Sequence, residues 1–322
     1  MLIVQKFGGS SLAGIERLRR SAEICLECAH GEQDLVVVVS AMGDSTNALI
    51  DLARQISPHP SSREMDALMT TGEQQSAALM AIMLESLGAK ARSLTGWQAG
   101  IFTDCRYGNA DVELIAPDRI RKTLSEGAIA VVTGFQGFCA CGDITSLGRG
   151  GSDTTAVALA AALEAGRCEI YTDVDGIFTA DPRLISDAKK LDCIDFRDML
   201  ALSESGSQVL HPRSVELAMA NDIPIHLLSS FSPGAGSLVR FLPESARCAL
   251  TGITVSRREN SVTVAGRGAD ASVLSEIVLL LGANGIAVTG GSIGENRVTV
   301  KVEEENLLSA AKLIHGRIVK AL

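Results

Sequence analysis

The sequence predicts an α/β protein: a largely parallel sheet sandwiched by helices, followed by a small α+β module. Strand-like and helix-like runs alternate through most of the 322 residues, the pattern of βα units that stack into a parallel sheet. Two glycine-rich loops each leave a strand and enter a helix, the arrangement such sheets use to hold ligands. From residue 249 the alternation gives way to short paired strands with two helices.

Taken in order, residues 2–6 (Leu-Ile-Val-Gln-Lys) read as a buried strand, and Gly8-Gly-Ser-Ser11 opens toward a helix over 15–28. Apolar β-branched runs place further strands at 35–40, 89–94, 129–133, 169–172 and 224–228. Helical periodicity covers 47–56, 65–87, 117–125, 153–164 and 214–220. Ser57-Pro-His-Pro-Ser-Ser62 is the clearest internal loop. Turn-rich Phe231-Ser-Pro-Gly-Ala-Gly-Ser237 and Leu242-Pro-Glu-Ser245 mark the exit from the first domain, set at 1–240. A second domain, 249–322, reads as strands 251–256 and 261–265, helix 271–281, strands 286–289 and 297–302, and helix 306–314. A small antiparallel sheet with two helices on one side is the ferredoxin-like arrangement.

Composition narrows the class. Hydrophobic residues make up 46% and aromatic ones 3%, so the core is aliphatic. A net charge of −9 argues against nucleic acid or an acidic membrane as general partners, and anionic substrates must be drawn by a local site. No run approaches the about 18 apolar residues of a membrane span, and the N-terminus reads as a strand and not a signal peptide, so a cytoplasmic location is expected. The eight cysteines include Cys25-x-x-Cys28 on a helix and Cys139-x-Cys141 in a polar loop. A zinc site needs a second well-spaced pair, which the spacing does not offer, so free thiols are expected and no metal ligand is assigned.

The most informative run is Thr145-Ser-Leu-Gly-Arg-Gly-Gly-Ser-Asp-Thr-Thr-Ala156. Its glycines empty into an Ala-rich helix, whose free N–H groups and dipole favour an anion. Arg149 adds a planar cation suited to a carboxylate or phosphate. Asp153 in such a place suggests a partner cation. A plain turn with Ser152 or Asp153 as N-cap is the simpler alternative. Neither glycine loop is a P-loop, and neither is a dinucleotide fingerprint, because Asp153 stands where the third glycine should be.

Together with Lys6-Phe-Gly-Gly-Ser-Ser11, Val39-Ser-Ala-Met-Gly43, Thr71-Gly-Glu-Gln74, Gly134-Phe-Gln-Gly137, Tyr171-Thr-Asp-Val-Asp-Gly-Ile-Phe-Thr-Ala-Asp-Pro-Arg183 and Val209-Leu-His-Pro-Arg-Ser214, this run resembles the aspartate kinases of the amino-acid kinase superfamily. The motifs follow the family's order from residue 2 to about 240. The resemblance implies transfer of the ATP γ-phosphoryl group, as Mg2+–ATP, to the side-chain carboxylate of L-aspartate, which opens lysine, threonine and methionine biosynthesis. An aspartate side chain, with a pKa of about 3.9, is already ionised and needs no general base. Catalysis must come from positioning and positive charge.

The resemblance gives each residue a role. Lys6 would neutralise the transferring phosphoryl group and Asp153 would orient Lys6. Gly8, Gly9, Ser10 and Ser152 would bond phosphate oxygens. Arg149 would grip the α-carboxylate of aspartate and Glu73 its α-ammonium, with Ser40, Ala41 and Thr46 lining that side. Thr172, Asp173, Asp175, Phe178 and Arg183 would hold the nucleotide. Taken singly, Lys6 reads equally as a strand-end surface lysine, Glu73 as a first-turn helix carboxylate, Asp181-Pro-Arg183 as a turn, and His211-Pro-Arg213 as a helix start.

Two departures stand out. Gln208 occupies the place where the family carries a lysine expected at the ATP phosphates, a loss of about 1.5–3 kcal/mol for one charged hydrogen bond; Lys189 and Lys190 are candidate substitutes. A non-catalytic or ligand-sensing homologue is therefore the alternative reading. The C-terminal region resembles a single ACT module where the family usually carries two, and Gly266-Arg-Gly-Ala-Asp-Ala271 lacks the usual Pro-Gly turn. End-product regulation and simple homodimerisation are both open for it.

Overall fold

The computed structural model describes residues 1–29 and 34–319. The chain divides into two compact units: residues 1–175 with 223–235, and residues 176–222 with 236–322. Residues 176–222 thus group with the C-terminal part. The expected domain limits, 1–240 and 249–322, follow the sequence pattern and are drawn at other positions than this packing division.

In the first unit, strands β1 (Ile3–Phe7), β2 (Leu35–Val39), β3 (Ala91–Leu94), β4 (Ile101–Thr103), β5 (Val112–Ile115), β6 (Ile129–Thr133), β7 (Gln136–Cys139), β8 (Ile144–Ser146) and β9 (Arg167–Thr172) precede a last strand, Ile225–Ser229. Six of them form a parallel sheet in the order Ile225–Ser229, β9, β1, β2, β6, β3. Its central strands are buried along their whole length, and Leu-Val-Val-Val-Val of β2 is wholly apolar, as a parallel sheet covered on both faces requires. Helices α1 (Ile15–Ala29), α2 (Ser45–Ile56), α3 (Ser62–Met69), α4 (Thr71–Ser86), α5 (Asp118–Ser125) and α6 (Gly151–Ala162) complete the unit.

The two polar residues of β1 are buried with partners. Gln5 Nε2 donates to Glu169 Oε2 at 2.9 Å, and Lys6 pairs with Asp153. Phe7 stacks on Tyr171 with ring centroids 4.7 Å apart, tying β1 to β9.

Within the first unit the structure differs most from the sequence expectations in three places. The single helix expected over 65–87 is two, α3 and α4, meeting at Thr70. There the Thr70 hydroxyl donates back to Asp66 O at 2.8 Å, and Gln136 Nε2 donates to Thr70 O at 2.9 Å, a side-chain intrusion that bends helices. A second sheet, in the order β5-β4-β7-β8, arises from strands of only three or four residues, too short to show a period. Helix α6 starts two residues earlier than expected, at Gly151, and its N-cap is Gly150 with φ 68°, not Ser152 or Asp153.

The second unit carries a four-stranded antiparallel sheet in the order Gly252–Ser256, Ser261–Ala265, Arg297–Val302, Val288–Gly294. Helices Ala271–Ala283 and Leu307–Val319 pack on it and on each other. Val262, Val264, Val298, Val300, Leu281 and Ile314 form the centre of its core. Asp270 caps the first helix, accepting from Ser272 N at 2.8 Å and Val273 N at 3.2 Å. This is the ferredoxin-like set of elements expected from the sequence; residues 320–322 of that expectation lie outside the described residues. Helices Phe196–Glu204 and Pro212–Ala220 belong to the same unit.

Candidate active site

The parallel strands β1, β2 and β6 end side by side, and each hands the chain to a loop that opens on a small residue: Gly8–Gly9, Ser40–Ala41 and Gly134–Phe135. With the glycine loop before α6, these enclose a cavity of about 340 Å³. Its walls include Lys6, Gly9, Ser40, Ala41, Thr46, Glu73, Arg149, Ser152 and Asp153, so nine expected residues meet at one place.

Lys6 Nζ lies 2.6 Å from Asp153 Oδ1, with side chains only 11% and 14% exposed. The surface-lysine reading is thereby excluded. Asp153 Oδ1 takes no hydrogen bond beyond this ion pair, so the carboxylate fixes the ammonium at the cavity wall. Water is scarce there, so the attraction is stronger than between exposed charges.

Glu73 is also buried, 4% exposed. Its Oε1 accepts from Ala41 N at 3.1 Å, while Oε2 has no partner among the described residues. Burial pushes its pKa up to about 7, against the opposing pull of the backbone N–H groups. An unmatched buried carboxylate of this kind is satisfied by a cation arriving with a ligand. Arg149 is the counterpart: exposed on its loop and in no ion pair among the described residues. The cavity therefore offers one anion and one cation to a ligand, beside the Lys6–Asp153 pair.

Packing fixes the loops. A Cβ on Gly134 would stand 2.6 Å from Ser152 Oγ and 3.0 Å from Val39 O, so only glycine lets α6 approach the ends of β2 and β6 this closely. Phe135, the second residue of the Gly134–Gly137 motif and without an expected role, also lines the cavity. It holds a positive φ of 68°, and its N–H donates to Thr155 Oγ1 at 3.1 Å.

Other expected residues stand apart from this cavity. Gly8 N–H donates to Tyr171 O at 3.2 Å, so it is engaged within the fold. Ser10 O accepts from Arg17 at 2.9 Å. Neither Gly8 nor Ser10 lines the cavity. Thr172 ends β9, and Asp173 and Asp175 follow it at the same end of the sheet. Thr172 Oγ1 donates to Asp173 Oδ1 at 3.1 Å, and Ser232 Oγ donates to Asp175. Phe178 and Arg183 belong to the second unit, where Arg183 forms a two-pronged pair with Asp181 at 3.0 and 2.8 Å. Gln208 is exposed in that unit.

Residues 1–229 match the amino acid kinase family. An aspartokinase of Mycolicibacterium smegmatis is 53% identical over 269 residues, which cover 82% of this chain and 64% of that relative. An aspartokinase of Bacillus sp. strain MGA3 is 48% identical over 288 residues, 89% of this chain and 70% of the relative. Among solved structures, E. coli aspartokinase III in complex with aspartate and ADP superposes with a TM-score of 0.73 at 27% identity, over 98% of this chain and 84% of that one. The chain thus spans about two thirds of the length of the curated relatives it matches. With its family match, its relatives and its fold in agreement, the chain belongs to the amino acid kinase family, on its aspartokinase branch.

Proposed function

We propose that the chain is an aspartate kinase, transferring the γ-phosphoryl group of ATP to the side-chain carboxylate of L-aspartate to give 4-phospho-L-aspartate, the opening step toward lysine, threonine and methionine. The observation that carries this is Glu73: a buried carboxylate with one unpartnered oxygen, in the same cavity as the exposed Arg149 and the Lys6–Asp153 pair. An α-amino acid has one cation and one anion to be read, and the cavity supplies one complement for each.

In this mechanism Glu73 binds the α-ammonium and Arg149 the α-carboxylate, with Ser40, Ala41 and Thr46 as the wall. The free side-chain carboxylate attacks the γ-phosphorus; one P–O bond forms, the bond to the β-phosphate oxygen breaks, and ADP leaves. No proton moves. Lys6, held by Asp153, stabilises the charge on the transferring oxygens. Gly9, Ser10 and Ser152 are assigned to phosphate; Gly8, whose only donor is spent on Tyr171 O, is assigned a different part, leaving open the space beside Lys6 Nζ that an added Cβ would reach at 3.6 Å. Thr172, Asp173 and Asp175 are assigned to the nucleotide, as are Phe178 and Arg183 by their motif alone. Magnesium arrives with ATP as part of that substrate.

We assign residues 1–240 the catalytic role and 249–322 an ACT-like role in regulation or in homodimerisation. No helix among the described residues is long and apolar enough to cross a membrane; a cytoplasmic enzyme is proposed because ATP is its substrate. No observation favours the non-catalytic alternative raised by Gln208. The test is ATP turnover by the purified chain with L-aspartate, trapping the acyl phosphate with hydroxylamine. Hydroxamate with aspartate, and none with L-glutamate or without amino acid, supports the proposal. A folded chain that gives none with any acidic amino acid overturns it.

A further inference from the structure

Three thiols of the first unit, one at the end of β7 and two on loops, meet at one point outside the candidate active site. The Sγ atoms of Cys105, Cys139 and Cys141 all lie within 4.8 Å of one another. The sequence spacing conceals this, because Cys105 is far along the chain from the Cys-x-Cys pair. Topology explains it: β4 and β7 run parallel with Thr103 opposite Cys139, so the chain leaving β4 passes beside the turn that leaves β7. That turn is tight, with Gly142 N donating to Cys139 O at 2.8 Å and Gly142 at φ +87°.

We propose that this triad binds one thiophilic divalent ion of the zinc class. Tetrahedral zinc, with Zn–S of about 2.3 Å, sets sulfur atoms about 3.8 Å apart. Cys105 Sγ and Cys141 Sγ are 3.7 Å apart. Cys139 Sγ and Cys141 Sγ are closer, 2.9 Å, and an ion would spread them, but they stand well outside the about 2.05 Å of a disulfide. Cys139 is buried and the other two are exposed, which gives the site a rigid floor and an open entrance. The fourth position goes to water. Each coordinating thiol gives up its proton to solvent, and no electron changes hands.

The loops are fixed without the ion, so little ordering remains to oppose binding. Asp104 Oδ1 accepts from Arg106 N at 3.2 Å and Asp111 N at 3.1 Å, closing the loop that carries Cys105. Asp66, fully buried on α3, accepts from Gly108 N at 2.8 Å in the same loop and from Ser146 N at 2.9 Å on β8. Beside the thiols, Asp143 Oδ2 accepts from Tyr107 Oη at 2.8 Å and lies 3.7 Å from Cys141 Sγ. Arg63 pairs with the same carboxylate at 2.6 Å, a cation that offsets its charge when Cys141 becomes a thiolate. Such outer partners orient ligands in metal sites. Cys25 and Cys28 are a helical pair with no third thiol beside them among the described residues, and they serve as the control.

The full chain, reduced, stripped with chelator and kept anaerobic, is titrated with Co2+ and then with Zn2+. The expected result is one Co2+ per chain, reported by thiolate-to-cobalt charge transfer and tetrahedral d–d absorption, and displaced by Zn2+. Cys105→Ser, an exposed position, weakens binding at least about tenfold, whereas Cys25→Ser with Cys28→Ser leaves it unchanged. Zn2+ raises the melting temperature of the parent chain but not of Cys105→Ser. Absence of the thiolate band at one equivalent overturns the site, as does a band undiminished in Cys105→Ser. A disulfide among these three cysteines in the isolated chain, with no ion taken up after reduction, also overturns it.

Discussion

Glu73 sets the first prediction, because its ionisation is coupled to what it binds. Burial raises its pKa from the usual 4.5 to about 7, so the folded chain keeps this proton where the unfolded chain has lost it. The sign follows: Glu73 contributes nothing adverse below pH 4.5, and stability falls as pH rises from there to about 7, by at most about 3 kcal/mol. An amino-acid ligand that supplies an ammonium should reverse the loss. Urea unfolding at pH 5 and pH 8, with and without aspartate, measures this; Glu73→Gln should flatten the window and abolish its aspartate dependence. An unchanged pH profile in that variant removes Glu73 from the ligand site. Lys6→Ala and Arg149→Ala should separate in steady-state kinetics: the first loses kcat, acting on the transition state, and the second raises the KM for aspartate far more than that for ATP. Equal effects of Arg149→Ala on both substrates would move it to the phosphates. At this scale the motifs revealed which residues meet, including the nine in the cavity wall. They did not reveal that Gly8 N–H is spent on Tyr171 O, since a backbone bond across two strands leaves no trace in residue type. Nor did they reveal the approach of Cys105 to Cys139 and Cys141, which depends on a strand register.

Elements with a strong apolar period were legible, and those held by polar side chains were not. The central strands β1, β2 and β6 read clearly because they are buried along their whole length and most of their residues are apolar. The sheet β5-β4-β7-β8 has strands of only three or four residues, too short for alternation to register. Its position relative to α3 rests on Asp66, whose Oδ2 holds Gly108 N and Ser146 N and whose Oδ1 accepts from Ser146 Oγ at 2.6 Å. Asp66→Ala leaves those buried donors unmatched, at about 1–3 kcal/mol each, and should lower stability by about 3 kcal/mol in chemical denaturation; a loss under about 1 kcal/mol would show that solvent replaces the clamp. Gly134→Ala acts differently. Its added methyl meets Ser152 and the Val39 carbonyl, so the α6 N-terminus must shift from the strand ends that carry Ser40 and Ala41. Activity should fall by an order of magnitude or more, about 1.4 kcal/mol or above in transition-state binding, while circular dichroism stays native. Full activity in that variant would mean that the close approach is not needed for turnover.

At the scale of the whole molecule, the second unit presents apolar surface that its own core does not use. Leu279 is 74% exposed on helix Ala271–Ala283, with Val278 beside it, and Ile293 is exposed on Val288–Gly294, an edge strand of the antiparallel sheet. An apolar helix face next to an open edge is a pairing surface, and a second copy of the same module is self-complementary to it across a two-fold axis. The side chains beneath it, Ile277 and Leu281, are buried in the core, so a substitution at Leu279 perturbs the surface and not the fold. We therefore expect a dimer in sedimentation equilibrium at micromolar concentration, and a monomer of native circular dichroism for Leu279→Asp. The same variant separates the two roles left open for this domain. If it serves dimerisation alone, the monomer keeps its turnover per chain, and lysine or threonine alters neither form. If turnover collapses with the dimer, assembly is coupled to catalysis. A Leu279→Asp chain that still sediments as a dimer places the interface elsewhere and leaves this face without a partner of its own kind.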